Sequence, residues 1–222
     1  MKRLFASVAF TAMAAVGGAQ AVPTFVNGGF EAGSSTGWDL MNATNTPGWT
    51  INYGSAGNFP RLNLNIASGG PYGANNDGRQ FATIGGMEDG GTSSLAQAVS
   101  GFTPGKTYIL TWLQSSEFTS SDMLNVSFLA GSATASANFA SNPYPGSGLF
   151  WQGWQTESMT FVPNASSVTF NFHSFGTNYE VGVDNFLISG AGVPEPAAWS
   201  LMLLGLGGLG GALRARRKAV VA

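Results

Sequence analysis

The sequence predicts an all-β chain, a two-sheet jelly-roll sandwich, and three observations carry that prediction. First, apolar residues between Thr24 and Ser189 alternate with a period of two: Leu62, Leu64 and Ile66 against Asn63 and Asn65, then Val168, Phe170 and Phe172 against Thr169, Asn171 and His173. Such runs describe strands with one face in a core and the other in water. Second, glycine supplies 32 of 222 residues and aromatics 12%, while charged residues are only 9%. That composition suits short strands and tight turns better than charged helices. Third, no segment between the two ends carries a sustained helical stripe.

The runs that qualify as strands are 24–31, 48–54, 62–66, 79–85, 93–100, 106–116, 123–130, 154–162, 166–175 and 179–188. Strands this short and this evenly spaced fit two packed antiparallel sheets. Phe102-Thr103-Pro104-Gly105-Lys106 joins two of them as a turn, with Pro presetting φ at its second residue and Gly supplying φ > 0 at its third. Ser141–Gly148, with two prolines and two glycines, reads as one long loop.

The two ends read as addresses. Lys2 and Arg3 precede the uncharged stretch Leu4–Val16, and Ala19-Gln20-Ala21 is a small-x-small cleavage site. That is the order of a secretory signal, placing the mature start near Val22. At the other end, Val193-Pro194-Glu195-Pro196 leads into Ala197–Leu213, which holds no charge, and then into Arg214, Arg216, Arg217 and Lys218. Seventeen helical residues rise about 25 Å, the short limit for a membrane span. The basic cluster would hold the C-terminus in the cytoplasm and leave the middle outside. The expected organisation is a signal peptide at 1–21, a β-sandwich at 22–192 and a sorting or anchor segment at 193–218.

This C-terminal order, Pro194-Glu195-Pro196, Trp199, the Leu/Gly-rich span and the Arg cluster, resembles the PEP-CTERM sorting signal of Gram-negative bacteria. The resemblance implies export through a signal peptidase and processing by an exosortase. It also implies transient anchoring in the inner membrane through 197–213, with a final place on the cell surface or in an extracellular polysaccharide matrix. A permanent single-span anchor is the other reading of the same segment. Gly205-Leu206-Gly207-Gly208-Leu209-Gly210 matches a dinucleotide-binding pattern, but it lies inside the apolar span with no strand before it, so it carries no such function.

Between residues 22 and 193 stand three bases, Arg61, Arg79 and Lys106, against ten acids, a formal charge of −7. So acidic a middle has no footprint for nucleic acid, which needs Lys and Arg to displace phosphate counterions. Cysteine is absent, which excludes disulfides, thiolate metal sites and Cys nucleophiles.

The middle opens with Phe25-Val26-Asn27-Gly28-Gly29-Phe30-Glu31 and closes with Val181-Gly182-Val183-Asp184-Asn185-Phe186-Leu187-Ile188. Between them come Asp77-Gly78-Arg79-Gln80, Ser94-Leu95-Ala96-Gln97, Pro104-Gly105-Lys106-Thr107-Tyr108 and Gly153-Trp154. In that order these motifs resemble galactose-binding-like jelly rolls, which include many carbohydrate-binding modules. The resemblance implies a glycan ligand and a structural calcium ion where the first and last strands meet. Glu31 and Asp184 would be its carboxylate ligands, with carbonyls around Asn27 and Gly29 contributing; calcium takes six to eight hard oxygens. The alternative is that both acids are solvent-facing strand ends.

No catalytic set emerges. Gly33-Ser34-Ser35-Thr36-Gly37 matches a nucleophile elbow, but polar, turn-rich sequence follows where a helix is required. His173 is the sole histidine and is expected on the strand face opposite Phe170 and Phe172. No two of the acids form a pattern that singles out a general acid and a nucleophile. Aromatics are the better lead, since sugar rings stack their C–H faces on Trp or Tyr. Tyr144 and Trp151, in or beside the long loop, are the expected ligand-binding rings, whereas Trp49, Trp112 and Trp154 are expected in the core. The sequence thus points to an exported, non-catalytic surface or matrix protein that associates with extracellular polysaccharide. A secreted polysaccharide hydrolase or lyase, and a purely structural biofilm component, are the rival readings.

Overall fold

The computed structural model describes residues 21–190, apart from 56, 58, 65–77, 86–92, 118–122, 132, 141–150, 152 and 176–179. Residues 1–20 of the signal segment, the sorting segment, Tyr144 and the whole of the expected 141–148 loop therefore lie outside the described residues. No helix among the described residues is long and apolar enough to cross a membrane.

The described residues form eleven strands in two sheets: β1 (Trp38–Leu40), β2 (Thr50–Asn52), β3 (Arg61–Leu64), β4 (Gln80–Ile84), β5 (Ser94–Ser100), β6 (Tyr108–Ser116), β7 (Met123–Ala130), β8 (Ala133–Ala140), β9 (Gln155–Phe161), β10 (Ser167–Phe175) and β11 (Val181–Gly190). One sheet has the order β1-β3-β4-β11-β6-β9 and the other β2-β5-β10-β7-β8. Every strand pair is antiparallel. The chain crosses repeatedly from one sheet to the other, which gives the expected two-sheet jelly-roll sandwich. Residues Ala21–Gly192 form one compact unit.

Period-two alternation decides which side chains meet. From β10, Val168, Phe170 and Phe172 point inward and are fully buried. They meet Leu95 and Val99 of β5, Val126 and Phe128 of β7, and from the other sheet Leu110, Trp112 and Phe186. Phe172 and Phe186 lie 4.3 Å apart between ring centroids, and Phe25 stacks on Trp49 at 5.6 Å. Aromatic pairs of this kind add about 0.5–1.5 kcal/mol each beyond area burial.

The expected strand at 24–31 does not form. Asn27 and Phe30 hold φ of 54° and 57°, in the left-handed region, and the segment runs through turns. Its backbone finds a side chain instead of a strand partner. The buried Gln97 amide accepts from Val26 N–H at 2.7 Å and donates to the Val26 carbonyl at 3.0 Å. Phe25 and Phe30 still reach the core, so the apolar pattern survives although the strand does not. The Pro104-Gly105 turn forms as expected: Lys106 N–H donates to the Thr103 carbonyl at 3.2 Å, with Gly105 at φ 79°.

Two strands escape the sequence pattern. β1 has only three residues, and β8 reads ATASANFA, too rich in Ala and Ser to show alternation. β8 forms because β7 offers a full ladder, from Met123 opposite Ala140 to Ala130 opposite Ala133.

Candidate functional site

The first and last segments of the sandwich do meet. Phe186 N–H donates to the Gly28 carbonyl at 3.1 Å, and a Cβ at Gly28 would stand 2.6 Å from the Phe186 carbonyl oxygen. Glycine is thus required where the two segments touch. Around this junction stand the four expected metal-binding residues, and several of their oxygens are already engaged. The Asn27 carbonyl accepts from Trp49 Nε1 at 3.0 Å and from Phe30 N–H at 3.2 Å. Glu31 Oε1 accepts the amides of Arg79 and Gln80 at 2.5 and 2.7 Å. Asp184 is fully buried, and its Oδ1 accepts from Asn185 N–H at 2.8 Å. Among the described residues, no group of three or more His, Asp or Glu is placed to hold a metal ion. A calcium ion here would depend on the remaining carboxylate oxygens, the Gly29 carbonyl and water to reach six ligands.

Trp151 is not the surface ring expected of it. Its indole is 1% exposed and packs edge-on against Phe81 at 5.4 Å, with Trp154 on the same phenyl ring at 5.2 Å. Both indoles lie over Gly182, where an added Cβ would meet Trp151 Cδ1 at 2.8 Å and Trp154 Cη2 at 3.1 Å. The two tryptophans form a small second core on the outer face of the six-stranded sheet. The pull is apolar: Phe81 points outward from β4, and covering it removes a whole ring from water. Trp49 and Trp112 belong to the main core as expected, whereas half-buried Trp154 belongs to this outer cluster.

The carboxylates with resolved contacts serve local structure. Asp39 accepts from Thr36 N–H at 2.6 Å and from the Ser35 hydroxyl at 3.0 Å. Those hydrogen bonds, the Thr36 amide foremost, hold its carboxyl below the usual range against a smaller upward push from burial. Glu157 accepts from Gln155 Nε2, which also donates to the Ala140 carbonyl at 2.7 Å. Ser35 is buried in the loop before β1, its N–H donating to Gln80 Oε1 at 2.5 Å. The G-x-S-x-G segment is therefore a loop fastened to β4, as its sequence predicts.

The broadest feature is the outer face of the five-stranded sheet. Register places Asn52, Ser94, His173, Asn125 and Asn138 in one cross-strand row. The next row runs Thr50, Ala96, Asn171, Ser127 and Ser136, and a third runs Ala98, Thr169, Leu129 and Thr134. His173 stands on this face, opposite Phe170 and Phe172 as expected. Asn125 Nδ2 donates to Asn138 Oδ1 at 2.7 Å across the strands, and a shallow open recess lies between Ser127, Leu129, Ser136, Thr169 and Asn171. No Lys, Arg, Asp or Glu stands in these rows. On a domain of formal charge −7, that leaves rows of amides, hydroxyls and small apolar side chains, with His173 among them and Leu129 exposed.

Trp38 is the functional candidate that sequence reasoning missed. It stands on the outer face of edge strand β1 and is 43% exposed, as is Leu40 two residues on. Arg61 Cζ lies 3.4 Å from the indole centroid, and Phe59, fully buried, packs edge-on behind it at 6.3 Å. The available signal was the alternation Trp38-Asp39-Leu40, three residues long and hidden beside a glycine-rich loop.

No curated protein matches the chain. Its fold is similar to that of the CBM22-1 xylan-binding domain from Paenibacillus barcinonensis Xyn10C, at 14% identity and TM-score 0.45, over 79% of this chain and 99% of that one. It is also similar to a family 35 carbohydrate binding module from Clostridium thermocellum, at 17% identity and TM-score 0.43, over 70% and 99% of the two chains. An arabinose-bound MgGH51 α-L-arabinofuranosidase is similar at 13% identity and TM-score 0.49, over 78% of this chain and 27% of that one. The family description PEP-CTERM protein-sorting motif matches residues 192–218. The molecule therefore joins a jelly-roll sandwich to a PEP-CTERM protein-sorting motif that follows directly behind it.

Proposed function

We propose that this is an exported, non-catalytic protein of the bacterial surface or extracellular matrix. In this reading an exosortase processes its tail, and its sandwich holds extracellular polysaccharide. The sorting motif at 192–218 supports the export half. The observation that carries the binding half is the outer face of the five-stranded sheet, whose described rows hold no Lys, Arg, Asp or Glu. Glycans present hydroxyls that both donate and accept, and Asn, Ser and Thr side chains offer both roles. A face without Lys, Arg, Asp or Glu meets such a ligand without stripping water from a charge, which is the expensive step in polar recognition. The shallow, open recess between Ser127, Leu129, Ser136, Thr169 and Asn171 suits an extended polymer better than a small enclosed ligand.

The same reading places a structural calcium ion at Glu31 and Asp184, with the carbonyls near Asn27 and Gly29, as a stabiliser of the terminal junction and not as part of the ligand surface. The test is retention of residues 21–192 on the producing organism's own exopolysaccharide, in calcium and in EDTA. Retention that falls when Asn171 and Thr169 are both changed to Ala supports the face as the binding surface. No retention in either buffer removes the binding half and leaves export untouched.

A further inference from the structure

The outward N–H and C=O groups of a sheet edge are a template for another chain, and proteins blunt such edges with short strands, charges, prolines or bulges. Among the described residues the sandwich has four edges, β1, β9, β2 and β8. β1 and β2 are blunted by length, at three residues each, and β9 carries Glu157. β8 has none of these guards. It runs for eight residues without a charge or a proline, and its ladder with β7 is continuous. The stretch from Met123 to Thr156 holds no Lys, Arg, His, Asp or Glu, in a domain of formal charge −7. The core is also open here. Ala135 and Ala137 stand on the core side, in register with Phe128 and Val126, yet Ala135 is exposed and Ala137 only half-buried. The far end of β8 is fastened: Phe139 packs edge-on against Trp112 at 4.6 Å, and Gln114 Nε2 and Gln155 Nε2 donate to the Phe139 and Ala140 carbonyls.

We infer that β8 is an interface for a second copy of this chain, the two β8 strands pairing antiparallel about a twofold axis through Ser136. The strand is complementary to itself in that register. Ser136 faces its own mate and Thr134 faces Asn138 of the other copy, so hydroxyls and amides meet on the outer side of the sheet. On the other side Ala135 faces Ala137, and methyl groups let the backbones close to ladder spacing. Charge selects this edge as well. Two copies of so acidic a domain repel, and the repulsion is least where the surfaces that touch carry no acid. Each copy brings the same free strand, so one pairing occupies both, and the remaining edges are short or acidic. The product is therefore a closed dimer with one ten-stranded sheet, not a growing fibre. The dimer does not rest on the polysaccharide reading; under that reading, the outer rows of the two copies become one continuous surface.

Residues 21–192 carry their own core and hold no cysteine, so an introduced thiol reports on one position. Residues directly opposite in an antiparallel ladder have Cα atoms about 4.5–5.5 Å apart, within the reach of a disulfide. Mild oxidation should therefore convert Ser136→Cys to a disulfide-linked dimer. Leu129→Cys, exposed on the same face but one strand further in on β7, should stay monomeric. Sedimentation of the wild type should show a monomer–dimer equilibrium. Ser136→Lys and Ser136→Glu should each raise the dimer Kd about tenfold, because like charges then face each other across the axis. Mixing those two variants should restore the dimer. Wild type that is monomeric at every concentration overturns the interface. So does Ser136→Cys that cross-links no faster than Leu129→Cys, or a dimer that both charged variants leave intact. Assembly beyond two copies overturns the closed form. If a charged variant fails to fold, the two thiol variants decide alone. Polysaccharide enters none of these measurements, so their failure leaves the binding proposal standing and its failure leaves the dimer.

Discussion

Replacing Trp151 with alanine separates packing from recognition most cleanly. The indole is 1% exposed, wedged between Phe81 and Gly182. A buried aromatic of this kind removes on the order of 150–250 Å² from water, which at about 25 cal/mol per Å² amounts to about 4–6 kcal/mol. Alanine keeps a little of that, and aromatic-to-alanine changes in cores cost about 3–5 kcal/mol. With a urea slope of about 2 kcal/mol per M, the unfolding midpoint of residues 21–192 should fall by about 1.5–2.5 M. Retention on polysaccharide by the molecules still folded should not change. Gly182→Ala is the companion: its Cβ would press on Trp151 Cδ1 at 2.8 Å, an overpacking cost of about 1–3 kcal/mol. In the Trp151→Ala background that cost should shrink, because one of the two clashing indoles has gone. A midpoint shift under about 0.5 M, together with lost polysaccharide retention, would refute the packing assignment and restore Trp151 as a ligand ring.

Three further outcomes are expected. Asp39→Asn should destabilise the domain at neutral pH. Because the folded-state pKa of Asp39 lies below its unfolded value, the carboxylate's contribution is complete above about pH 4 and disappears as pH falls through the folded value. Wild-type and variant melting curves should therefore converge in acid, and a gap that persists or widens there contradicts the assignment. Asn185, at φ 52° in the irregularity between Asp184 and Leu187, should cost about 1–2 kcal/mol when changed to Ala and less when changed to Gly, read by urea unfolding. Calcium should raise the melting temperature of residues 21–192 and EDTA lower it, with Glu31→Gln insensitive to both. Superimposed melts of the wild type in the two buffers would remove the ion from the terminal junction.

The sequence by itself determined the fold class, most of the strands and the sorting motif, and each for a local reason. Period-two alternation survives in a string because adjacent residues face opposite sides of a sheet, so Val168, Phe170 and Phe172 announce a buried face wherever their partners lie. The motif at 192–218 is likewise linear, since residue order is the signal. The Pro104-Gly105 turn is legible because φ preferences belong to single residues. What only the tertiary structure decided were properties that depend on partners distant in the chain. Segment 24–31 alternates like a strand, yet the Gln97 amide takes its backbone and turns do the rest. β8 carries almost no pattern and becomes a strand because β7 offers its ladder. Trp38 and Trp151 are the same residue type in similar glycine-rich company. One lies on an edge strand, contacted by a guanidinium and a phenyl ring yet 43% exposed, while the other is drawn onto Phe81 over a glycine with no side chain in the way. Exposure is set by what folds over a ring from elsewhere, and a string of residues carries no record of that.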